Sequence, residues 1–213
     1  MKKTLLIVAM IASTMMFSCN RHDDDDNKPS GNESSNMING HEYVNLGLSV
    51  KWATCNVGAS NPKSFGNYYA WGELNTKPYY SYDNCDTYYE ELNDISGKPK
   101  YDVARNKWGK TWRIPTKAEM EELIYNCSWE YENDNGVAYY RIIGPSGNYI
   151  YLPVSGYYEY SYEDMYSGQY WTSTPDKTND YSSNSYALIF DEDEIRVMKK
   201  VRYLGRTIRP VSE

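Results

Sequence analysis

The stretch WGKTWRIPTKAEMEELIYNC, residues 108–127, carries the strongest local signal for structure in this chain. Thr116 and Glu119 have the spacing of a capping box, in which each side chain accepts a hydrogen bond from a backbone amide at the start of a helix. Four apolar residues then recur at i, i+3, i+4 and i+7, which is the stripe of an amphipathic helix. They are Met120, Leu123, Ile124 and Cys127. We therefore predict a helix of about three turns after Thr116.

The segments before this helix have the patterns of strands and loops. YVNLGLSVKWATCNVGA (43–59) alternates apolar and polar residues from Val44 to Trp52, which predicts a half-buried strand with Trp52 facing inward. Gly47 leaves open whether this is one strand or two strands across a tight turn. Residues 60–105 are rich in turn formers, so we expect long ordered loops with short strands there rather than helices.

The segments after the helix are predicted to be strands. VAYYRIIGPSGNYIYLPVSGY (137–157) predicts a hairpin whose loop is 144–148. Three further short strands are predicted at YWTST, SYALIF and EIRVM (170–174, 185–190 and 194–198). A hairpin turn is expected at 191–193, and Pro210 limits the last segment, RYLGRTIRPV (202–211), to an edge or a strand end. One helix region and many short antiparallel strands give an α+β class.

The first residues of the chain have the layout of a secretory signal. Lys2 and Lys3 precede an apolar run from Leu5 to Phe17, which is too short to span a bilayer. We therefore predict a signal peptide at residues 1–18. The residues around Cys19 resemble the lipobox of bacterial lipoproteins, in which the cysteine is lipidated and becomes the mature N-terminus. Plain signal cleavage without lipidation is the alternative.

An acidic and polar segment follows Cys19. The four consecutive aspartates Asp23–Asp26 resemble the surface-export signal of Bacteroidetes lipoproteins, and they also suit a solvated tether. Residues 19–40 contain few apolar side chains, so we predict a disordered linker before one globular domain at 41–213. We expect an outer membrane lipoprotein that is exposed at the cell surface.

Composition narrows the range of partners. The formal net charge is −7, and loss of Lys2 and Lys3 with the signal peptide would make it −9. A surface this acidic repels phosphate backbones and anionic head groups, so we expect no nucleic-acid partner and no membrane contact beyond the lipid anchor. The chain has 24 tyrosines but only 3 phenylalanines. Tyrosine is enriched in recognition surfaces, although it is also favoured on half-buried strands.

Six motifs resemble, in their order along the chain, those of the Fibrobacter succinogenes major paralogous domain. They are YVNLGLSVKWATCNVGA (43–59), YYAWGE (68–73), WGKTWRIPTKAEMEELI (108–124), IYLPVSGY (150–157), YWTST (170–174) and RYLGRTIRPV (202–211). The resemblance covers residues 41–213. It implies a C-type-lectin-like fold, in which one or two short helices pack on small twisted antiparallel sheets and long loops near the C-terminus display the ligand surface.

Two stretches in that loop region combine tyrosines with small polar residues. Aromatic faces stack on sugars or on peptide side chains, while Asn and Asp supply hydrogen bonds; packing of the loops on one another is the alternative. The candidate ligand-binding residues are Tyr157, Tyr158, Tyr160, Tyr162, Tyr166, Tyr170, Asn179, Asp180, Tyr181, Asn184 and Tyr186. The expected partner is a glycan or a cell-surface protein.

Three cysteines remain in the domain. They are Cys55, Cys85 and Cys127. An exported protein permits disulfides, and an odd number of cysteines leaves one thiol over. Cys55 follows an inward-facing strand and Cys127 lies on the core face of the predicted helix. We therefore expect these two to form a disulfide and Cys85 to remain free.

No catalytic or metal-binding constellation is recognisable among the acidic residues and histidines. His41 is the one histidine of the domain, and we expect it to be solvated or to pack before the first strand. Glu119 is explained by the capping box, and Glu121 and Glu122 fall on the polar face of the helix. Asp191–Glu194 lack the spacing of an EF-hand calcium loop, so a charged hairpin turn is the expectation.

Arginines and tryptophans inside the motifs favour structural roles. Arg113, Arg206 and Arg209 either contact a ligand or, as we prefer, pin loop carbonyls and carboxylates beside the sheet. The tryptophans are expected to anchor the core rather than to form a sugar platform. They are Trp52, Trp71, Trp108, Trp112 and Trp171.

The sequence therefore predicts a surface-exposed, non-catalytic binding or adhesion module that uses no cofactor or metal. One alternative is a structural envelope or adhesin component with a fixed protein partner. A second alternative is an enzyme that acts on polysaccharide, which would need two carboxylates that converge in a cleft.

Overall fold

The computed structural model describes residues 36–160, 162–178 and 183–213, which form a mixed α+β fold dominated by antiparallel sheets. Its two short helices are α1 (Val103–Trp108) and α2 (Lys117–Asn126). Its strands are β1 (Met37–Ile38), β2 (His41–Val44), β3 (Lys51–Ala53), β4 (Ser128–Asp134), β5 (Val137–Ile143), β6 (Tyr149–Pro153), β7 (Tyr157–Glu159), β8 (Tyr162–Asp164), β9 (Gly168–Pro175), β10 (Asn184–Phe190), β11 (Ile195–Val201) and β12 (Val211–Ser212). The predicted α+β class is confirmed.

The strands form four small antiparallel sheets. Their strand orders are β1-β2-β3-β12, β4-β5-β6, β7-β8 and β11-β10-β9. The first sheet joins the start of the domain to its end, since Val211 pairs with Trp52 and Ser212 with Lys51. Because β1 pairs with β2, the predicted linker over residues 19–40 ends earlier than expected, before Met37.

Helix α2 begins as predicted from the capping box. The Thr116 hydroxyl accepts from the Glu119 amide at 3.2 Å, and the Glu119 carboxylate accepts from the Thr116 amide at 2.7 Å. Met120 and Leu123 are fully buried, so the apolar stripe faces the core. The helix has 10 residues and ends at Asn126.

The segment 43–59 forms two strands rather than one. β2 ends at Val44 and β3 begins at Lys51, with Gly47 between them at φ 79°, a conformation that favours glycine. The predicted alternation nevertheless survives in the burial of side chains, because Leu46, Val50 and Trp52 all face the core.

Strands β9 and β10 lie between two hydrophobic cores. Successive side chains of a strand point to opposite faces, so Leu188 and Phe190 reach the first core, whereas Ala187 and Ile189 reach the second. The first core also contains Leu46, Val50, Trp52, Met120, Leu123, Ile142, Ile150, Leu152 and Tyr170. The second also contains Tyr69, Trp71, Ile95, Trp108, Trp112, Ile114, Trp171 and Ile208. The predicted role of the five tryptophans as core anchors is confirmed.

Several predicted elements after α2 are confirmed, and several other elements were missed, among them β1, β7 and β8. The hairpin of β5 and β6 has its loop at 144–148, and β10 and β11 are joined across 191–194. Strand β4 was not predicted; it pairs with β5 along its whole length. Helix α1 was not predicted either. Its N-cap is Asp102, whose carboxylate accepts from the Arg105 amide at 2.9 Å. Within the described residues, no helix has the length and apolar character needed to cross a membrane.

The last segment, 202–212, runs through the interior and is hydrogen-bonded to most other parts of the fold. The Trp71 amide donates to the Arg202 carbonyl at 2.8 Å, and Gly205 and Tyr158 exchange two backbone hydrogen bonds of 2.9 Å. Thr207 pairs with Tyr170 in a parallel bridge. Every residue of this segment is buried except Tyr203, which is half-buried. Its short strand β12 is an edge strand, as Pro210 predicted.

The predicted disulfide is wrong, because Cys55, Cys85 and Cys127 are all free thiols. Cys127 packs against the first core at the end of α2. Cys55 lies between Ala53 and Val57, both of which belong to the second core. Both cysteines pack inside the domain, but they lie beside different cores, and a shared interior position does not bring two sulfur atoms together.

Glu119→Gln should destabilise the protein in a pH-dependent way. Burial alone would raise the pKa of Glu119, but hydrogen bonds from Arg113 and Thr116 outweigh it and hold the pKa below its usual value. Such a carboxylate stabilises the folded state above its unfolded-state pKa and loses that contribution as the pH falls. We expect a loss of about 2 kcal/mol in the free energy of unfolding at pH 7, measured by urea denaturation.

The deficit of Glu119→Gln should shrink as the pH falls below about 4.3, the ordinary pKa of glutamate in an unfolded chain, and should vanish below the lowered pKa of the folded state. Glu121→Gln is the matched control on the same helix, because Glu121 makes only a half-exposed ion pair with Lys117. It should cost less than about 0.5 kcal/mol. An equal deficit for Glu119→Gln at pH 7 and at pH 3 would show that the salt bridge does not act as described.

Candidate functional site

The predicted ligand-binding residues separate into exposed, half-buried and buried groups. Tyr160 and Tyr166 are 52% and 85% exposed, which suits contact with a ligand. Tyr157 and Tyr158 are half-buried on β7. Four predicted residues fall outside the described part of the structure: Asn179, Asp180, Tyr181 and, for its side chain, Tyr162. Cys19 lies outside it as well.

Tyr170 does not belong to a ligand surface, and that prediction is wrong. Its side chain is completely buried, its ring stacks on Phe190 with centroids 5.8 Å apart, and its hydroxyl donates to the Pro153 carbonyl at 2.8 Å. Asn184 and Tyr186 are half-buried on β10. The Lys117 ammonium lies 4.5 Å from the centre of the Tyr186 ring.

Tyr158 and Tyr160 belong to a larger group of tyrosines from three separate segments. We call this group the tyrosine surface. Its members are Tyr82, Tyr88, Tyr89, Tyr158, Tyr160 and Tyr203. Tyr82 and Tyr89 are 47% and 72% exposed, so with Tyr160 they present three open rings.

Ring contacts connect the 82–89 segment to the end of the chain. Tyr88 lies 5.6 Å from Tyr203 and 4.6 Å from Tyr89, and Tyr82 lies 6.4 Å from both Tyr88 and Tyr203, with the planes tilted or edge-on throughout. Such separations and angles are the favoured geometry of aromatic pairs. The contacts arrange the rings of these four tyrosines relative to one another in the absence of a ligand.

Backbone pairing brings β7 to the same place. Tyr80 forms an antiparallel bridge with Tyr160, and Tyr158 forms one with Gly205. Tyr68 packs edge-on against Tyr158 with centroids 4.6 Å apart. Tyr80 is buried beneath, where its hydroxyl donates to the Tyr68 carbonyl at 2.6 Å. A bonded layer of tyrosines thus supports the exposed one.

The tyrosine surface carries neutral hydroxyls next to carboxylates. The Tyr203 hydroxyl donates to Glu159 at 2.7 Å. Burial and the neighbouring Glu163 raise the pKa of Tyr158 to about 12, and burial and Glu159 raise the pKa of Tyr203 above its usual value. Both hydroxyls therefore stay protonated at neutral pH and remain hydrogen-bond donors.

Arg202 positions the 82–90 segment from below. Its guanidinium is buried 4.2 Å from the centre of the Trp71 ring and donates to the carbonyls of Thr87 at 3.1 Å and Glu90 at 2.7 Å. It also donates to the Ser185 hydroxyl at 2.9 Å. Burial lowers the pKa of Arg202 to about 10, so the group remains charged at neutral pH. The Arg202 side chain therefore links the 82–90 segment to β10.

The other predicted arginines have the structural role that was preferred. Arg209 donates to the Asn56 side chain at 2.7 Å and to the Ala53 carbonyl at 3.0 Å. Arg206 donates to Gln169 at 2.8 Å, and its guanidinium lies 4.4 Å from the centre of the Trp171 ring. Arg113 is paired with Glu119 at 2.6 Å. Because Arg206 and Arg209 are buried, they are not available to a ligand.

Apart from the tyrosine surface, a concave region lies at the end of the first core. It is a pocket of about 190 Å³. Its lining comes from the β4–β5 hairpin, from residues 165–166 and from the β10–β11 turn. The lining residues are Tyr131, Ala138, Tyr140, Val154, Met165, Tyr166, Asp191 and Glu192. Predicted residue Tyr166 belongs to this pocket and not to the tyrosine surface.

His41 and Asp191, which the sequence analysis considered for catalysis or metal binding, make structural contacts. His41 stacks on Trp108 with centroids 3.8 Å apart, which is a packing role, and burial lowers its pKa. Asp191 closes the hairpin turn by accepting from the Asp193 and Glu194 amides. In the described part of the chain, no three His, Cys, Asp or Glu side chains are grouped in a way that could hold a metal ion.

Four of the six members of the tyrosine surface were missed at the level of sequence. Tyr203 lies in the last motif, which was predicted only as an edge strand or a strand end. Tyr82, Tyr88 and Tyr89 lie in a region predicted only as loops. The available signal was the unusual density of tyrosines in 79–89, but that density alone does not show which other segments lie beside it.

Comparison of the chain with protein-family models, with curated proteins and with solved structures gave no match. The assignment of a function therefore rests on the sequence motifs and on the geometry of the site.

Arg202→Met should loosen the tyrosine surface. The substitution keeps apolar volume beside Trp71 but removes the donor that Arg202 supplies to the buried carbonyl of Thr87 and to the partly buried carbonyl of Glu90. We expect a loss of about 3 kcal/mol in the free energy of unfolding. Backbone amides in 82–90 should also exchange with solvent faster, as measured by hydrogen–deuterium exchange.

Arg196→Met is the matched control for this substitution. Arg196 lies on the adjoining strand β11 and makes an exposed ion pair with Glu194. Its loss should cost less than about 1 kcal/mol and should leave exchange in 82–90 unchanged. Unchanged exchange there in Arg202→Met would contradict the role given to Arg202.

Proposed function

We propose that the protein is a non-catalytic ligand-binding or adhesion module whose tyrosine surface binds a glycan or an exposed protein. The observation that carries this proposal is the gathering of six tyrosines from three separate segments on one surface, with the rings of Tyr82, Tyr89 and Tyr160 open to solvent. A surface with several large exposed aromatic rings is typical of interaction sites.

The chemistry of the tyrosine surface suits sugars well. Ring faces pack against the C–H faces of a sugar, while hydroxyls and the carboxylates of Glu159 and Glu163 bond to its hydroxyl groups. Tyrosine has only two side-chain torsions, and the ring contacts of Tyr88 and Tyr203 already restrict them. A surface that is ordered before binding loses little conformational entropy when it binds.

We infer that the domain, residues 41–213, is a member of the Fibrobacter succinogenes major paralogous domain family with a C-type-lectin-like fold. Six motifs in the family's order support this inference, as does a sheet-dominated α+β architecture with short helices. The motifs at 43–59 and 202–211 also meet in one sheet, through β3 and β12. This inference adds weight to recognition as the role of the tyrosine surface.

We further propose that the protein is a surface-exposed outer membrane lipoprotein anchored through Cys19. The basic residues Lys2 and Lys3, the short apolar run after them and the acidic run Asp23–Asp26 support this location. A single lipidated terminus followed by a polar linker would hold the domain away from the membrane, with the tyrosine surface free to meet partners.

Cys19→Ala should abolish lipidation. In a Bacteroidetes host fed a clickable palmitate analogue, the full-length wild-type protein should carry the label and sediment with membranes. The variant should lose both properties. Cys85→Ala, in which the buried Cys85 of the domain is replaced, should keep the label and the membrane association. Persistence of the label on Cys19→Ala would overturn the proposed anchor.

The combined substitution of Tyr82, Tyr89 and Tyr160 by alanine should strongly weaken ligand binding without unfolding the protein. The three rings are largely exposed, so their loss removes little core packing. On a glycan array, the full-length wild-type protein should bind a restricted set of glycans, and the variant should bind them at least about tenfold more weakly.

Tyr125→Ala is the matched control for these substitutions. Tyr125 is 80% exposed on α2 and does not belong to the tyrosine surface, so its variant should bind like the wild type. Absence of glycan binding by wild-type protein would shift the assignment to a protein partner, as in a fixed envelope or adhesin assembly. Turnover of a polysaccharide by the wild type would overturn the non-catalytic assignment.

A further inference from the structure

The pocket at the end of the first core combines an aromatic wall with an acidic rim. Tyr131 and Tyr140 meet edge-on with centroids 5.5 Å apart, and Ala138 and Val154 add apolar surface between the strands. Met165 and Tyr166, both exposed, come from the segment after β8. Asp191 and Glu192 of the β10–β11 turn supply the carboxylates.

The charge of the lining is one-sided. Among the described residues that line the pocket, two are carboxylates and none is basic. The nearest basic residue along the chain, Arg141, follows Tyr140 on β5, where successive side chains point to opposite faces, and it is paired with Glu130. Arg196, beyond the turn, is paired with Glu194. Together, burial and the charges of Asp191 and Glu192 raise the pKa of Tyr140 above its usual value. The pocket is therefore a region of negative potential that disfavours any anionic ligand.

The acidic rim is held in place by the turn. One oxygen of the Asp191 carboxylate accepts from the amides of Asp193 at 3.0 Å and Glu194 at 2.9 Å. The Asp191 carbonyl accepts from the Tyr140 hydroxyl at 2.8 Å, which links the turn to the aromatic wall. The carboxylate and the ring faces are thus fixed relative to one another in the absence of a ligand.

We propose that this pocket binds the guanidinium group of an arginine side chain in a basic segment of a partner protein. Guanidinium stacks on tyrosine rings and bonds to carboxylates, and its apolar stem suits a wall of Ala138, Val154 and Met165. A volume of about 190 Å³ is smaller than sites for drug-sized ligands, so it suits one side chain. The site is separate from the tyrosine surface and does not depend on the function proposed for that surface.

The test uses two peptides that differ only in charge. Acetyl-Gly-Arg-Gly-amide is titrated into the full-length protein and followed by amide NMR, beside the peptide in which neutral citrulline replaces arginine. We expect the arginine peptide to shift the amides of Ala138, Tyr140 and Glu192, with millimolar affinity that falls as salt is added. The citrulline peptide should bind at least about fivefold more weakly.

Substitutions locate the effect. Glu192→Gln removes one charge from the rim and Tyr131→Ala removes one ring, and each should weaken binding of the arginine peptide by about fivefold to tenfold. Asp193→Asn is the matched control, because Asp193 lies in the same turn but does not line the pocket. It should change the affinity less than about twofold. The variant of the tyrosine surface should bind the arginine peptide like the wild type.

Three results would overturn the proposal. They are the absence of shifts at the pocket with the arginine peptide, equal binding of the citrulline peptide, and equal weakening by Asp193→Asn and Glu192→Gln. The second result would indicate a pocket for a neutral group, such as a sugar ring, and the third would indicate attraction by the overall negative charge. Each of them leaves the glycan-array result for the tyrosine surface unaffected, so the two proposals fail independently.

Discussion

The last segment of the fold buries three guanidinium groups, those of Arg202, Arg206 and Arg209, and the fold depends on hydrogen bonds that replace their hydration. Taking a charge out of water costs several kcal/mol unless hydrogen bonds replace its hydration. Here the replacement comes mainly from backbone carbonyls, side-chain amide and hydroxyl oxygens, and the faces of indole rings. Because those partners belong to segments far away in sequence, the arginines can be satisfied only when the whole domain is assembled.

This constraint explains how long loops form an ordered surface. Residues 60–102 contain almost no regular structure, so most of their backbone groups have no ladder to join. Arg202 and Arg209 supply donors to carbonyls in the loops and strand ends, and the last segment adds backbone hydrogen bonds to Val57, Tyr69 and Trp71. These hydrogen bonds give the loops some of the backbone partners that a sheet would otherwise supply, which helps to present the rings in a defined arrangement.

Sequence patterns succeeded where the signal was local. The capping box placed the start of α2, and the hairpin of β5 and β6 followed from its turn residues. For segment 43–59, the alternation of apolar and polar residues correctly predicted which side chains are buried. It did not predict whether the segment forms one strand or two, and the structure has two, with Gly47 between them. The predicted disulfide failed because burial was treated as proximity, although Cys127 packs against the first core while Cys55 lies between two residues of the second.

The site was only partly predictable, because long-range pairing creates it. Tyr158 and Tyr160 were chosen from a tyrosine-rich stretch, but their neighbours Tyr82 and Tyr88 come from a segment with no local signal for position. The same stretch supplied Tyr170, which proved to be a core residue. Composition indicated the chemistry of the surface. The backbone bridges of Tyr160 with Tyr80 and of Tyr158 with Gly205 decide which rings reach that surface.

Tyr170 was predicted to bind a ligand but is buried, and its buried hydroxyl suggests why tyrosine is abundant in this chain and phenylalanine is rare. A domain rich in loops has many buried carbonyls without strand partners, and each needs a donor. Buried tyrosines provide one: Tyr80 donates to the Tyr68 carbonyl, Tyr140 to that of Asp191 and Tyr170 to that of Pro153. Phenylalanine would fill the same volume but leave those carbonyls unpaired, at a cost of about 1–3 kcal/mol each.

The 24 tyrosines therefore serve two purposes, since some donate hydrogen bonds inside the fold and others present rings at the surface. Only exposure and neighbours distinguish the rings that hold the fold together from those that are available to a ligand.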